Sequence, residues 1–559
     1  MSAAALLQYA LWIAVLTLCV KPVGGYLARV MQREPTALDP LLKPVERLIY
    51  RLAGVDPGVS MTWSAYALSM LATGFAGTLL VYAVLRLQHL LPFHDPATLT
   101  TPMTPDLALN TAWSFATTTT WQAYSGENTM SAFTQLVALA AQGFIGGATG
   151  LAVGTAFIRG FARDRDDHLG NFWVDLVRGT LWVLLPAALA GGLFLVQQGV
   201  PMTFRPDLPV QTLEGGKQTI ALGPVAALSW IENMGTNGGG YFAANQAHPF
   251  QNPTPLTNFV LMLAIAVLPA GLTATFGRVI QQPRQGWLIY WVMTAIFLAT
   301  LLACGWFEQA GSLEGKEVRF GFGGSVLTAV VTSHTSCGST NASADSFTPL
   351  GGMVILVNLL MGEIAYGGLG SGFYSLVMIA LVAVFLCGLM IGRTPEYLGR
   401  SLDGGVLKII ALYSLIGPAC LLPLTALAGA TAWGQAGAAT NAGPHGLTSI
   451  MVAYASCFAN NGLSFGGLSA NSPFYNLTTA IAMGAGRYLL AISALALAGL
   501  IARKQPRPAS AGTLPTDTVL FGAAVVATVV LVAAVTYVPM LFLGPLAEHF
   551  QAFAARPLP

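Results

Sequence analysis

Four stretches of the chain carry residue types suited to holding a dehydrated cation. They are Thr117 to Gln122 (Thr-Thr-Thr-Thr-Trp-Gln), Gly235 to Tyr241 (Gly-Thr-Asn-Gly-Gly-Gly-Tyr), Thr335 to Thr340 (Thr-Ser-Cys-Gly-Ser-Thr) and Ala459 to Phe465 (Ala-Asn-Asn-Gly-Leu-Ser-Phe). A monovalent cation stripped of water needs several oxygens at close range, and backbone carbonyls supply them without fixed charge. Gly238, Gly239 and Gly240 allow turns that aim carbonyls at one centre, and Thr119, Thr120, Thr236 and Ser336 are expected to add hydroxyls. No carboxylate lies within a strip; Glu127 and Glu232 only flank them. Divalent ions recruit carboxylates, so a neutral cage favours a large monovalent ion such as potassium.

The elements that must hold these strips are membrane spans. The 559 residues are 54% hydrophobic and 9% charged, with a mean hydropathy of +0.65, which is the composition of an all-α polytopic membrane protein. About 20 apolar residues cross a bilayer, and ten segments qualify: 4–25, 62–86, 132–158, 172–197, 256–280, 285–304, 372–392, 406–429, 475–501 and 518–543. The run from Gly352 to Met361 is too short to span and reads as a partial or surface helix, hinged at Gly367-Gly368-Leu369-Gly370 before the seventh span. The first apolar run, Ala3 to Val20, has no basic region before it and reads as a retained helix.

Lys and Arg concentrate in alternate loops: Arg29, Arg33, Lys43, Arg47 and Arg51, then Arg159, Arg163 and Arg165, then Arg284, then Arg393 and Arg400, then Arg503, Lys504 and Arg507. Residues 87–131 and 430–474 contain none. The positive-inside bias places the basic loops in the cytoplasm, so the strips face out and both termini are expected outside.

Each strip follows a short apolar run (Leu107 to Ala116, Ala226 to Met234, Val326 to Thr332, Ser449 to Phe458) and precedes a Phe-containing segment and a new span. The strips recur at intervals of roughly 100 to 125 residues. This predicts four pseudo-symmetric repeats of span, re-entrant pore helix, filter strip and span around a central pore. Their limits are 62–171, 172–284, 285–405 and 406–517, with an extra span and loop at 1–61 and an extra span at 518–559. Irregular backbone at membrane depth survives only when buried or lining a watery cavity.

Other chemistries find little support. The net charge of +2 argues against a nucleic-acid partner. The six cysteines are scattered and suggest neither a zinc site nor a disulfide framework. His89, His94, His168, His248, His334, His445 and His549 fall in loops or span ends, so no pair on facing spans suggests a haem or a quinone enzyme. A phosphate loop, a His-Glu-x-x-His motif and an Asp-Lys-Thr-Gly-Thr phosphorylation motif are all missing from the sequence, and a lipid-facing structural role leaves four costly strips unexplained.

Thr-Trp-Gln-Ala-Tyr-Ser-Gly-Glu at 120–127, Thr-Asn-Gly-Gly-Gly at 236–240, Ser-Cys-Gly at 336–338, Asn-Asn-Gly at 460–462 and Gly-Arg-Thr-Pro-Glu-Tyr-Leu-Gly at 392–399 resemble the potassium-binding A subunit of the bacterial Kdp potassium-transporting ATPase. The resemblance covers essentially the whole chain. It implies a non-catalytic subunit of the inner membrane that binds potassium from outside. From there potassium would pass through an intramembrane tunnel to a P-type ATPase subunit (Kdp B), which carries ATP and magnesium; Kdp C and a small Kdp F subunit are the implied accessory partners, with membrane lipid around them. The runner-up is the translocating subunit of a Trk-like, gradient-driven potassium transporter. Carried over by position, the filter residues are Thr118, Thr119 and Gln122; Thr236, Asn237 and Gly238; Ser336, Cys337 and Gly338; and Asn460, Asn461 and Gly462. The resemblance implies asparagines where this chain has Thr118 and Thr120.

Two sets of charges are further candidates. Arg487 lies within the ninth span and Glu363 stands at the end of the short hinge helix, shortly after the third strip; as a pair they are either a tether between repeats three and four or a gate below the filter. Arg393, Glu396 and Arg400, at the cytoplasmic end of the seventh span, are either positive-inside anchors or a cationic block that stops straight-through leakage.

Overall fold

The computed structural model describes all residues except 94–98, 164, 206, 394, 442, 509–512 and 555–559, so His94 and Thr394 lie outside the described residues. Among the described residues, ten helices are long and apolar enough to cross a membrane: Ala3–Met31, Trp63–Leu90, Ala132–Ala162, Phe172–Gln197, Pro255–Val279, Pro283–Phe307, Ser371–Ile391, Gly404–Ala430, Pro473–Ala502 and Val519–Ala552. They coincide with the ten predicted spans. Several start where the sequence supplies an N-cap: the side chains of Thr254, Asp403, Ser472 and Thr518 each accept a backbone N–H from the first turn. Pro255 and Pro473 begin their helices, where the missing N–H costs nothing.

The spans sort into an inner and an outer set. The most apolar window is 72% buried in the third and fifth spans and 61% in the ninth, against 22% in the first and 28% in the eighth and tenth. The first span packs along the fifth, where Thr275 Oγ1 donates to the Gly24 carbonyl at 3.0 Å and small residues let the backbones approach.

Four short helices, Pro105–Ala116, Val225–Met234, Gly321–His334 and Pro444–Phe458, lead into the four strips. At 10 to 15 residues they reach about 15–22 Å, short of a bilayer core of about 30 Å. Their C-terminal ends, which carry partial negative charge, run into the strips.

Pro349–Met361 is a 13-residue helix with most of its length buried, which corrects the surface option: it is a partial span packed inside the protein. It ends at Gly362 in the left-handed region (φ +75°), and residues 363–370 are buried without regular structure until Ser371 starts the seventh span. Among the described residues, three small antiparallel ladders interrupt the helical fold, joining Met61–Thr62 to His168–Gly170, Asp207–Gln211 to Lys217–Ala221 and Glu396–Tyr397 to Arg400–Ser401.

Two histidines correct the sequence reading, because they sit on the short helices and not in loops. His334 closes the third, buried, with Nε2 at 2.7 Å from Thr300 Oγ1. His445 opens the fourth, with Nε2 at 2.9 Å from Asp345 Oδ1 and Nδ1 at 2.9 Å from Glu548 Oε1. This triad clamps the turn beyond the third strip and the last helix onto the fourth short helix. The hydrogen bonds to Glu548 and Asp345 hold the imidazolium, raising the His445 pKa to about 9. A folded-state pKa above the unfolded value near 6.5 contributes stability that is complete below that value and lost as pH rises through the folded pKa. The melting temperature of the purified protein is therefore expected to fall between pH 7 and pH 9.5, and Glu548→Gln to flatten that dependence in the same thermal scan.

Candidate ion-binding site

All four strips converge on one mouth. A cavity of about 470 Å³ is lined by Thr120 and Gln122 from the first strip, Gly239 from the second, Gly338 and Thr340 from the third, and Gly462 to Ser464 from the fourth. Below the mouth the backbones pack so closely that side chains have no room. A Cβ on Gly238 would meet Gly338 N at 2.2 Å, one on Gly338 would meet the Asn461 carbonyl at 2.3 Å, and one on Gly462 would meet the Thr119 carbonyl at 2.2 Å. The ring thus runs from the second strip through the third and fourth to the first.

Hydrogen bonding fixes which backbone groups face the axis. Thr119 N and Thr120 N both donate to the Ser114 carbonyl (2.9 and 3.3 Å), Asn237 N and Gly238 N to the Glu232 carbonyl (both 2.9 Å), and Asn461 N to the Ser456 carbonyl (2.9 Å). In a trans peptide the C=O points opposite to the N–H, and no peptide bond in the described residues is cis. With these N–H groups turned back into their own helices, the carbonyls of Thr118, Thr119, Thr236, Asn237 and Asn460 point the other way, toward the shared axis. The turn requires left-handed backbone at alternate positions: Thr118 and Thr120 (φ +59° and +48°), Thr236 and Gly238 (+48° and +75°), Asn460 and Gly462 (+49° and +91°).

The third strip breaks the pattern. None of Ser336, Cys337 or Gly338 has positive φ, and Thr335 caps its helix in an extended conformation (φ −98°, ψ 163°). The Thr332 carbonyl, equivalent to those of Ser114, Glu232 and Ser456, accepts instead from Asn461 Nδ2 at 2.5 Å. The Cys337 carbonyl accepts from Thr332 Oγ1. Cys337 therefore departs from the expected arrangement, because its carbonyl is held in the wall.

The strip side chains other than that of Thr120 form a belt, so the hydroxyls of Thr119 and Thr236 and the Gln122 amide, expected to add to the cage, are engaged between the strips and their surroundings. Gln122 Nε2 donates to the Gly240 carbonyl (3.0 Å) while its Oε1 accepts from Gly240 N (2.9 Å), stitching the first strip to the second. Cys337 Sγ lies 3.6 Å from the Glu232 carbonyl, joining the third to the second. Asn461 Nδ2 also reaches the Thr335 carbonyl, joining the fourth to the third, and Asn460 Nδ2 donates to Thr119 Oγ1 at 3.0 Å, joining the fourth to the first. Asn237 Nδ2 binds the Gly143 carbonyl of the third span, Thr236 Oγ1 accepts from Leu369 N, and Ser336 Oγ makes a long 3.5 Å contact to the Ala459 carbonyl. Thr120 Oγ1, at the cavity mouth, has no hydrogen-bond partner among the described residues.

Sequence reasoning missed the groups behind the strips. Glu232 is buried, and its Oε2 accepts from Gln251 Nε2 at 3.1 Å, while Gln251 Oε1 accepts from Tyr241 N. Polar Gln251 and Asn252 just ahead of an apolar span were the available signal. The contact between Leu369 and Thr236 puts the break at 363–370 directly against the strips.

Glu363 and Arg487 do not form a direct ion pair. Glu363 Oε2 accepts from Ser371 Oγ at 2.5 Å, and Arg487 Nη2 donates to the Gly146 carbonyl of the third span at 3.0 Å. Arg400 is buried, with Nη1 on the Phe161 carbonyl (2.5 Å) and Nη2 on the Arg163 carbonyl (2.6 Å). These contacts cap the end of the third span and tie the loop after the seventh span to it. Arg393 lies half-buried just past the end of the seventh span, its N–H on the Gly388 carbonyl.

A family profile described as "Potassium-transporting ATPase A subunit" matches residues 10–550. The chain belongs to this family. It is 48% identical to a potassium-transporting ATPase potassium-binding subunit of Methylorubrum extorquens, 49% to that of Methylobacterium nodulans and 48% to that of Rhodopseudomonas palustris, each alignment covering 98% of both chains. Its fold is similar to the crystal structure of the potassium transporter TrkH from Vibrio parahaemolyticus, with a TM-score of 0.53 at 14% identity over 88% of this chain and 97% of that one.

Within the family frame, the threonines of the first strip have a physical consequence. A β-branched residue in the left-handed region is strained, whereas asparagine is enriched there, and such strain costs about 1–3 kcal/mol. Thr120→Asn is therefore expected to raise the melting temperature by a few degrees, with cation affinity measured by calorimetry unchanged, because the backbone carbonyls stay in place. Glu363 lies beside the N-terminal end of the Ser371–Ile391 helix, which favours an anion. Exchanging Glu363 and Arg487 reverses both local fits. In uptake assays the double exchange is expected to be no more active than the single variants.

Proposed function

We propose that the chain is the potassium-binding and selectivity subunit of an ATP-driven, high-affinity potassium uptake pump. The observation that carries this is the set of strip N–H groups tied back to Ser114, Glu232 and Ser456, which leaves neutral carbonyls around one axis. Neutral carbonyls suit a large monovalent ion, and potassium is what the names of the 48–49% identical relatives give as bound. In this reading the ligands are backbone oxygens of Thr118, Thr119, Thr236, Asn237 and Asn460, with Ser336, Gly338, Asn461 and Gly462 completing the wall.

ATP hydrolysis belongs to a separate P-type ATPase subunit, Kdp B, holding ATP and magnesium, and Kdp C and Kdp F complete the complex in the bacterial inner membrane. The strips and both termini face outward, in keeping with the arginine-rich loops on the opposite face. Four repeats, 62–171, 172–284, 285–405 and 406–517, surround the axis. The buried break at 363–370 obstructs the straight path and turns the ion sideways into a tunnel toward the partner.

The likeness to TrkH favours one second reading, a gradient-driven transporter, although at 14% identity it speaks for the fold alone. One experiment separates the two: potassium-dependent ATP hydrolysis by the purified complex, compared with Gly238→Asp in the same preparation. A side chain at Gly238 collides with Gly338 N, and its φ of +75° disfavours any Cβ. The wild-type complex is expected to hydrolyse ATP in response to potassium, and the variant to lose at least tenfold in potassium affinity and its discrimination against sodium. Wild-type affinity and selectivity in the variant would sink the filter assignment, and potassium flux with no co-purifying ATPase would favour the gradient-driven reading.

A further inference from the structure

Between the first and second spans, on the face opposite the strips, Asp39–Ala53 forms a 15-residue helix whose side chains sort to three sides. Asp39, Leu42, Glu46 and Tyr50 are buried against the protein. Arg178 Nη1 meets Glu46 Oε1 at 3.1 Å, and Trp182 Nε1 donates to Asp39 Oδ1 at 3.1 Å. These anchors fix the depth of the helix. Counting from Phe172, where the fourth span begins, Arg178 and Trp182 lie six and ten residues along it, a descent of about 9–15 Å, which passes a headgroup layer of about 5–8 Å and reaches the outer part of the acyl region.

On its second side the helix carries Leu41, Val45, Leu48 and Leu52, spaced by four, three and four residues along one stripe and 72, 42, 54 and 78% exposed. On the third side, flanking that stripe, stand Arg47 and Arg51, one turn apart and exposed. Lys43 is already engaged by Asp39 at 2.8 Å, so the two arginines are the cations left to meet something else on this helix. A helix with this sorting lies in the membrane interface, with its apolar face in the acyl boundary and its basic face among headgroups. Paired guanidinium forks match phosphate oxygens.

We propose that this helix is a binding site for an anionic phospholipid of the leaflet opposite the strips. Leu41, Val45, Leu48 and Leu52 sit among the acyl chains, and Arg47 and Arg51 hold the headgroup phosphate. The site is independent of the ion pathway. The lipid's hold on the helix passes to the fourth span through Glu46 and Arg178, and from Arg178 Nε to the Val30 carbonyl at the end of the first span, 3.1 Å away.

The test uses the full chain, purified with the subunits that accompany it, in nanodiscs doped with photoactivatable phosphatidylglycerol or with the matching phosphatidylcholine. Labelling of peptides covering residues 39–53 is read by mass spectrometry. The phosphatidylglycerol probe is expected to label them at least fivefold more than the neutral one. Each arginine near an anionic surface contributes roughly a fivefold preference, so Arg47→Gln with Arg51→Gln is expected to bring the two probes level without moving the melting temperature, and Arg47→Lys with Arg51→Lys to keep most of the preference. Equal labelling in the wild type, a preference that survives the glutamine pair, or no labelling by either probe because another subunit covers the helix would each overturn the proposal.

Discussion

The constraint on which the rest depends is that irregular backbone inside a membrane protein must have its polar groups satisfied without water. Three strips meet it in the same way: the N–H groups of Thr119, Thr120, Asn237, Gly238 and Asn461 turn back to carbonyls in the last turns of their own short helices. Those carbonyls are among the last of each helix, which have no partner within it. One set of hydrogen bonds thus caps the helix, satisfies the strip and exposes the strip's own carbonyls on the far side. The short helices must stop at membrane depth for this to work, and the ten long spans bury the ends that result.

The third strip shows what happens when the acceptor is taken. Asn461 Nδ2 occupies the Thr332 carbonyl, and the Cys337 carbonyl turns to the Thr332 hydroxyl. The cage is therefore unequal, with carbonyls from three strips presented by the same device and the fourth side built differently. Equal rings suit rapid passage between similar sites, because an ion must leave as readily as it enters. An unequal ring can hold one site more tightly than its neighbours, which fits a subunit that binds and passes on better than one that conducts.

The spans, the short helices and the strips could be read from the sequence because each depends on a local property: about 20 apolar residues, an apolar run too short to cross, or a cluster of Gly, Thr and Asn. Side-chain direction could not. Whether Asn237 or Asn460 offers its amide or its carbonyl to the axis depends on the sign of φ at alternate residues, and contacts with other spans hold that sign. Gln122 looked like a ligand by type and position, yet its amide is matched to the backbone of Gly240, a residue far away in sequence. The supposed pairing of Glu363 with Arg487 followed from the cost of lone charges in a membrane. The protein meets that cost with the Gly146 carbonyl and the Ser371 hydroxyl, neither of which a count of charges reveals. The surface option for Pro349–Met361 failed for a related reason: length shows that a helix does not cross, but not whether other helices surround it.

The belt of side chains explains how the strips tolerate their own geometry. Thr118, Thr120, Thr236 and Asn460 all hold positive φ without being glycine, at about 1–3 kcal/mol each. Such conformations persist only where the surroundings over-determine them. Here Asn460 is tied to Thr119 and to the Met483 carbonyl, and Thr236 to Leu369. The Gln122 amide bridges the first and second strips. A strip left to relax would rotate its carbonyls away from the axis, and an incoming ion would have to supply the free energy of ordering them. Because the belt supplies that order in advance, more of the attraction between ion and carbonyls is left for affinity. In the proposed ion-binding role the belt side chains therefore act through the backbone, which is why the amides of Gln122, Asn460 and Asn461 belong to the site without reaching the axis.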